Sequence, residues 1–311
     1  MTSFHSRSEP QNPNRTTIVV TGAAGFIGRR VVARLAGAGA RVVAVDRIPD
    51  PADWPATVEY RCADLGQGFP AFPGDFIWVH LAWSMDRADA GAQAGSVSDF
   101  ERLLAQGGCR AVVGMGSAEE YGELEGRLRE DQAPGARLSA YGQAKSEACQ
   151  ALAAWARGPG RHAVWLRPFI AYGPGQRGSM AIPYALQCVQ ARQRAEFSEG
   201  EQRRDFVHVD DVAEGIAQAA LRVAELETPF AICNLGRGVP VRLRDVLERI
   251  ALKTGAQDRF IFGARPMRAN EPKEQYADVA AAERWLGWRA RISWEQGIDA
   301  MCQGYEKDNH G

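Results

Sequence analysis

At 311 residues, with 45% apolar and 24% charged positions, the chain has ordinary globular composition and is long enough for one large domain or two modest ones. Lys and Arg number 37 against 38 Asp and Glu, so the net charge of -1 gives no long-range pull toward nucleic acid or an anionic membrane, and a bound anion has to be held by local groups. No run approaches the ~18 apolar residues of a membrane span, and the six cysteines at 62, 109, 149, 188, 233 and 302 fall in no metal-ligand spacing, so reduced thiols, a cytoplasmic protein and no metal are expected.

The first fifteen residues, "MTSFHSRSEPQNPNR", lack the apolar core of a signal peptide and read as a disordered tail. Strand-like apolar runs follow at 16-22, 40-46, 57-64, 75-82, 110-117 and 161-168, several of them separated by helix-like segments. That alternation predicts an α/β fold with a doubly wound parallel sheet. "RVVARLAGAG" is the first crossover helix, and "SAYGQAKSEACQALAAWARGPG" is a second long helix stopped by Gly158-Pro159-Gly160. After Pro168 come a loop at "YGPGQRGSM", a short helix at "AIPYALQCVQARQR", a helix over 211-226, a strand over 230-236 and two further helices. The expected organisation is a dinucleotide-binding domain of 16-170 plus about 204-236, with a smaller, discontinuous α/β lobe from about 171-203 and 237-311 forming the other wall of the site.

"TGAAGFIG" places Gly22, Gly25 and Gly28 three apart between the first strand and the first helix. Glycines there allow a tight turn and let a pyrophosphate approach backbone N–H groups at a helix N-terminus. Asp46 ends the second strand, where a carboxylate accepts the adenosine ribose hydroxyls and repels a 2'-phosphate, which argues for NAD. Arg47 beside it could hold that phosphate and leaves NADP open. Asp64 is a candidate for the adenine amino group, or equally a cap for the following turn.

"YGQAK" sets Tyr141 and Lys145 four apart on one helix face, so the ammonium can favour the phenolate and make an acid/base pair. "GSAEEYG", ending the fifth strand, packs a hydroxyl, two carboxylates and a phenol between Gly116 and Gly122. Ser117, 24 residues before Tyr141, can donate to a substrate oxygen while Tyr141 passes the proton. Tyr121 reads as structural and Glu120 as a packing or solvent-facing residue; Glu119 is the open position.

At this point the chain resembles the extended short-chain dehydrogenases/reductases of the NAD-dependent epimerase/dehydratase family, most of which act on nucleotide sugars. The resemblance runs over roughly 16-300 through "TGAAGFIG", "HLAW", "GSAEEYG", "YGQAK", "LRPFIAYGPGQ", "RRDFVHVDDVA" and "ERWLGW", in that order. It implies Ser117, Tyr141 and Lys145 as the catalytic set, Lys145 also binding the nicotinamide ribose. It further implies cofactor contacts at Phe26, Ile27, Leu65, Leu81, Ala82 and Pro168, and substrate contacts at Ser84 and Ser117. Arg204 and Arg268 would clamp the substrate diphosphate, His208 would be structural and Asp210 a helix cap.

The shared chemistry is hydride transfer at a sugar carbon, with Tyr141 moving the hydroxyl proton. A 4-keto-6-deoxyhexose reductase or a hexose 4-epimerase is the first expectation. A 4,6-dehydratase would use Glu119 as an extra acid/base, although Ala118 stands where those enzymes carry Asp or Ser. A dehydrogenase of non-nucleotide alcohols would not need the two arginines, and a non-catalytic scaffold would not need Tyr141 or Lys145. The resemblance also implies a homodimer, paired through the helix before Cys109 and the Tyr141 helix.

Overall fold

The computed structural model describes residues 16-49, 54-68, 70, 72, 75-178, 180-267 and 270-307. The N-terminal tail and Arg268 therefore lie outside the described residues. In chain order the elements begin with β1 (Thr17–Thr21), α1 (Gly28–Gly37), β2 (Arg41–Asp46), β3 (Val58–Cys62), β4 (Phe76–His80), α2 (Ala90–Gln106) and β5 (Cys109–Met115). They continue with β6 (Gly126–Leu128), α3 (Ala140–Trp155), β7 (His162–Pro168), β8 (Ile170–Tyr172), α4 (Ala181–Gln190), β9 (Ala195–Glu196), β10 (Arg203–Arg204), β11 (Phe206–His208) and α5 (Val209–Arg222). The last are β12 (Phe230–Leu235), β13 (Val241–Arg242), α6 (Leu243–Lys253), β14 (Phe260–Ile261), β15 (Glu274–Ala277), α7 (Ala280–Leu286) and α8 (Trp294–Lys307).

Seven strands form one parallel sheet in the order β12-β7-β5-β4-β1-β2-β3, the doubly wound arrangement expected from the sequence. Its strands are near-continuous runs of Val, Ile and aromatic residues because both faces are covered. Alternation sorts the side chains: Ile18, Val20, Val164 and Leu166 join the core on one face, and Val19, Ala163 and Trp165 that on the other. The connections change direction between β1 and β4, which opens a crevice at the carboxyl ends of these strands.

A third apolar cluster, with Tyr172, Ile182, Leu186, Phe206, Leu247, Ile250 and Ile298, forms the later lobe. A four-stranded sheet, β13-β10-β15-β6, reaches from this lobe back to the segment after β5. Two buried aspartates of "RRDFVHVDD" tie the parts together. Asp205 accepts from the N–H groups of Arg237, Gly238 and Ala277, and Asp211 from those of Arg291 and Ile292. The helix cap of this motif differs from expectation. His208 is the N-cap of α5 and accepts from Asp210 N–H through Nδ1, while Asp210 lies inside the first turn and pairs with Arg30 of α1 at 3.0 Å.

Candidate active site

The glycine loop is shaped by close backbone approach. Gly22 has φ +71, and a Cβ there would lie 2.6 Å from Ala82 N and 2.7 Å from the Leu81 carbonyl carbon; on Gly28 it would lie 2.1 Å from Gly22 O. Gly25 is less confined, meeting only Gly22 O at 3.1 Å. Phe26 O is held by Arg30, and Ile27 is the N-cap of α1 with no side chain capping the helix, which leaves its N-terminal dipole for an anion. Leu81 N–H donates to Thr21 O at 3.0 Å, so Leu81 and Ala82 line the crevice beside the loop.

Asp46 stands at the mouth of this loop, its carboxylate fixed by Ala24 N–H at 2.9 Å and Ile48 N–H at 3.3 Å, while Arg47 is exposed. Asp64 caps the short turn over Leu65–Gln67 through Gly66 N–H at 3.0 Å, which also ends β3 earlier than the sequence pattern predicts. A cradle that a Cβ would fill, an uncapped helix start and a fixed carboxylate on the second strand fit a dinucleotide whose adenosine ribose carries no phosphate.

Ser117 follows β5 and caps the turn Ala118–Tyr121. Its Oγ accepts from Glu119 N–H at 3.1 Å, which leaves the hydroxyl proton as the group to offer a ligand. Of the two expectations for Glu120, packing or solvent-facing, the structure rules out the second: its carboxylate is fully enclosed. It accepts from Ser117 N–H at 2.9 Å, Trp165 Nε1 at 2.9 Å and Arg167 Nε at 2.8 Å. Gly116 makes room for it, since a Cβ there would lie 2.2 Å from Glu120 Oε1. Tyr121 is structural as read from the sequence: its buried hydroxyl donates to Asn234 Oδ1 at 2.7 Å, and burial pushes the phenol up to about 12.

Tyr141 and Lys145 sit in the first two turns of α3, capped by Ser139 through Gly142 N–H at 3.0 Å. Gly142 lets the helix close on the Ser117 turn, because a Cβ there would lie 2.4 Å from Glu119 O. Burial pushes the Tyr141 phenol up to about 12, against the opposing charge of Arg87. Lys145 is buried, donates from Nζ to Met115 O at 2.8 Å, and lies 3.5 Å from the centroid of the Trp83 ring and 5.6 Å from that of Tyr141. Burial pulls its ammonium well below the usual lysine range, with Glu120 opposing.

Arg87, near Tyr141, and Gln93, which organises the loop that carries Arg87, escape the sequence motifs. The Arg87 guanidinium lies 4.5 Å from the Tyr141 ring centroid and pairs with Glu119 Oε1 at 2.5 Å, while Glu119 Oε2 accepts from Ser139 Oγ at 2.7 Å. The loop carrying Trp83, Ser84 and Arg87 is organised by buried Gln93, which accepts from Trp83 Nε1 and donates to the carbonyls of Ser84 and Asp86. Ser84 N–H also donates to Ser96 Oγ at 3.2 Å. Only the unusual apolar-face Gln in α2 could have signalled this from sequence.

In the later lobe Arg204 is nearly buried, donates to Glu271 Oε1 at 3.1 Å and to Arg203 O at 2.8 Å, and lines a cavity of about 90 Å³ with Tyr172, Gln176, Gln202 and Leu243. Pro168 ends β7 opposite Leu235 of β12.

Residues 18-236 match the NAD dependent epimerase/dehydratase family. The chain is 27% identical over 330 residues to a UDP-glucuronate 4-epimerase of Thermodesulfobacterium geofontis, covering 94% of this chain and 96% of that protein. A 29% identical stretch of 145 residues, 46% of this chain, aligns with 42% of an uncharacterised protein of Methanocaldococcus jannaschii. The solved structure of MoeE5 in complex with UDP-glucose and NAD is similar with a TM-score of 0.80 and 29% identity, covering 95% of this chain and 100% of that one. No helix among the described residues is long and apolar enough to cross a membrane. With its dinucleotide cradle and more than half its length matched, the chain belongs to the NAD dependent epimerase/dehydratase family and is an NAD-dependent enzyme of the short-chain dehydrogenase/reductase type.

Proposed function

We propose that the protein is a 4-epimerase of nucleotide-diphosphate hexoses. NAD, when bound, supplies a hydride acceptor that also returns the hydride at C4. Tyr141 takes the C4 hydroxyl proton and gives it back, Ser117 donates to the same oxygen, and Lys145 holds the nicotinamide ribose and supplies positive charge. Arg204, together with Arg268, binds the diphosphate, and Ser84 contacts the sugar.

The observation that carries the choice of reaction is the engagement of Glu119. A 4,6-dehydratase needs a carboxylate free to take the C5 proton, and Glu119 has one oxygen on Arg87 and the other on Ser139. The full-length similarity to a 4-epimerase points the same way. Two copies pairing through α2 and α3, which run beside one another, belong to the same reading, and light scattering of the purified protein tests it.

The enzyme is incubated with UDP-glucose and with UDP-glucuronate without added nicotinamide, and the products are resolved by proton NMR. A C4 epimer from either substrate supports the reading. A 4-keto-6-deoxy product that disappears in Glu119→Gln makes the protein a dehydratase, and turnover only of a 4-ketosugar with stoichiometric NADH makes it a reductase.

A further inference from the structure

Arg87 lies in the loop between β4 and α2 and in none of the sequence motifs, yet its guanidinium is nearer the Tyr141 ring centroid, at 4.5 Å, than the Lys145 ammonium, at 5.6 Å. Lys145 is engaged with Met115 O and the Trp83 face. Arg87 is held in turn. Glu119 grips it at 2.5 Å, Ser139 grips Glu119 at 2.7 Å, and Ser139 caps the helix that carries Tyr141. The ring of contacts closes on itself, so the guanidinium is fixed relative to the phenol by the same helix that fixes the phenol.

We propose that Arg87 is a positioning residue of the proton-transfer step: Glu119 holds its guanidinium against the face of Tyr141, where it stabilises the phenolate that accepts the substrate proton. The identity of the substrate rests on the C4 chemistry proposed above; the effect of Arg87 on the phenol does not.

A cation over an aromatic face is attracted by the ring alone, and the attraction becomes an ion pair once the phenol ionises. A planar, weakly hydrated guanidinium suits this stacked placement better than an ammonium does. Among the described residues, the charged groups facing Tyr141 are Arg87 from the β4–α2 loop, Glu119 and Glu120 from the turn after β5, and Lys145 from its own helix. Both carboxylates oppose ionisation, and Glu120 is already neutralised by Arg167. Removing Arg87 would therefore leave Glu119 facing the phenol uncompensated.

The test titrates the phenol directly. Ultraviolet difference spectra between each protein and its Tyr141→Phe counterpart, with NAD bound and read by pH jump, give the midpoint for Tyr141 in wild type, Arg87→Met and Arg87→Lys. The expected result is a midpoint raised by about one pH unit or more in Arg87→Met, partly restored in Arg87→Lys, with the basic rise of kcat/KM moving in parallel and kcat falling more than KM changes. Thermal melts identify a variant that has not folded, in which case Arg87→Lys and Arg87→Gln carry the comparison. Equal midpoints in all folded variants overturn the proposal. A shifted midpoint in a protein without epimerase activity overturns the proposed function and leaves this assignment standing.

Discussion

Glu120 and Arg167 meet across 47 positions as an ion pair of 2.8 Å whose carboxylate is fully enclosed. Three donors converge on Glu120, so it holds the end of β5, the Ser117 backbone and β7 in one arrangement. Removing one member of a buried pair leaves an uncompensated charge and typically costs about 3–5 kcal/mol. Arg167→Met should lose stability on that scale in urea unfolding, and Glu120→Gln combined with Arg167→Met should lose less than the two single losses summed. A single variant within about 0.5 kcal/mol of wild type would show that the pair does not organise the site.

The glycine loop predicts a graded series. In Gly28→Ala the new methyl would meet backbone oxygen at 2.1 Å, and in Gly25→Ala at 3.1 Å. Gly28→Ala should fail to fold or melt far below wild type. Gly25→Ala should fold and retain less NAD on purification. Equal melting temperatures and equal bound nicotinamide in both variants would remove the cradle from the account.

Asp46 has its carboxylate fixed by Ala24 N–H and Ile48 N–H, and we propose that it receives the adenosine ribose hydroxyls. Asp46→Ser should weaken NAD by roughly tenfold, the loss of one charged hydrogen-bond partner, and narrow the preference over NADP, with exposed Arg47 available to the added phosphate. Calorimetric titration with both dinucleotides measures the ratio. An unchanged ratio would place the ribose elsewhere.

The buried tyrosines give an alkaline signature. Burial raises Tyr121 from 10.0 to about 12, so the folded protein keeps a proton that the unfolded chain releases above about pH 10. Its contribution is complete below the unfolded value and is lost as pH rises toward 12. Tyr121→Phe, which gives up the bond to Asn234, should be less stable than wild type by about 1 kcal/mol at pH 8. That gap should shrink through pH 10 to 12 in urea-unfolding midpoints; a gap constant across the range would contradict the buried phenol.

Much of this was legible in the chain itself, and the physical reasons for what was not are specific. Long strands and the β1–α1 turn announce themselves through apolar runs and glycine spacing, and the Ser117, Tyr141 and Lys145 positions follow from their ends. The strands β6, β8, β10 and β11 have two or three residues each, too few to show a period. Glu120 reads as an ordinary charge because its partner lies on β7, and Arg87 reads as a loop arginine because Glu119 lies 32 positions away. Carboxylates lead the usual cap preferences and so point to Asp210, but Asp210 is engaged by Arg30 of α1, a tertiary contact invisible in the sequence, and His208 is the α5 cap.

In the proposed reaction C4 loses and regains the same hydrogen. UDP-glucose or UDP-glucuronate deuterated at C4, incubated with the purified enzyme in ordinary water and examined by NMR, should yield the C4 epimer with deuterium still on C4. Deuterium found at C6 of a 4-keto-6-deoxy product would contradict the epimerase account and return Glu119 to the role of base.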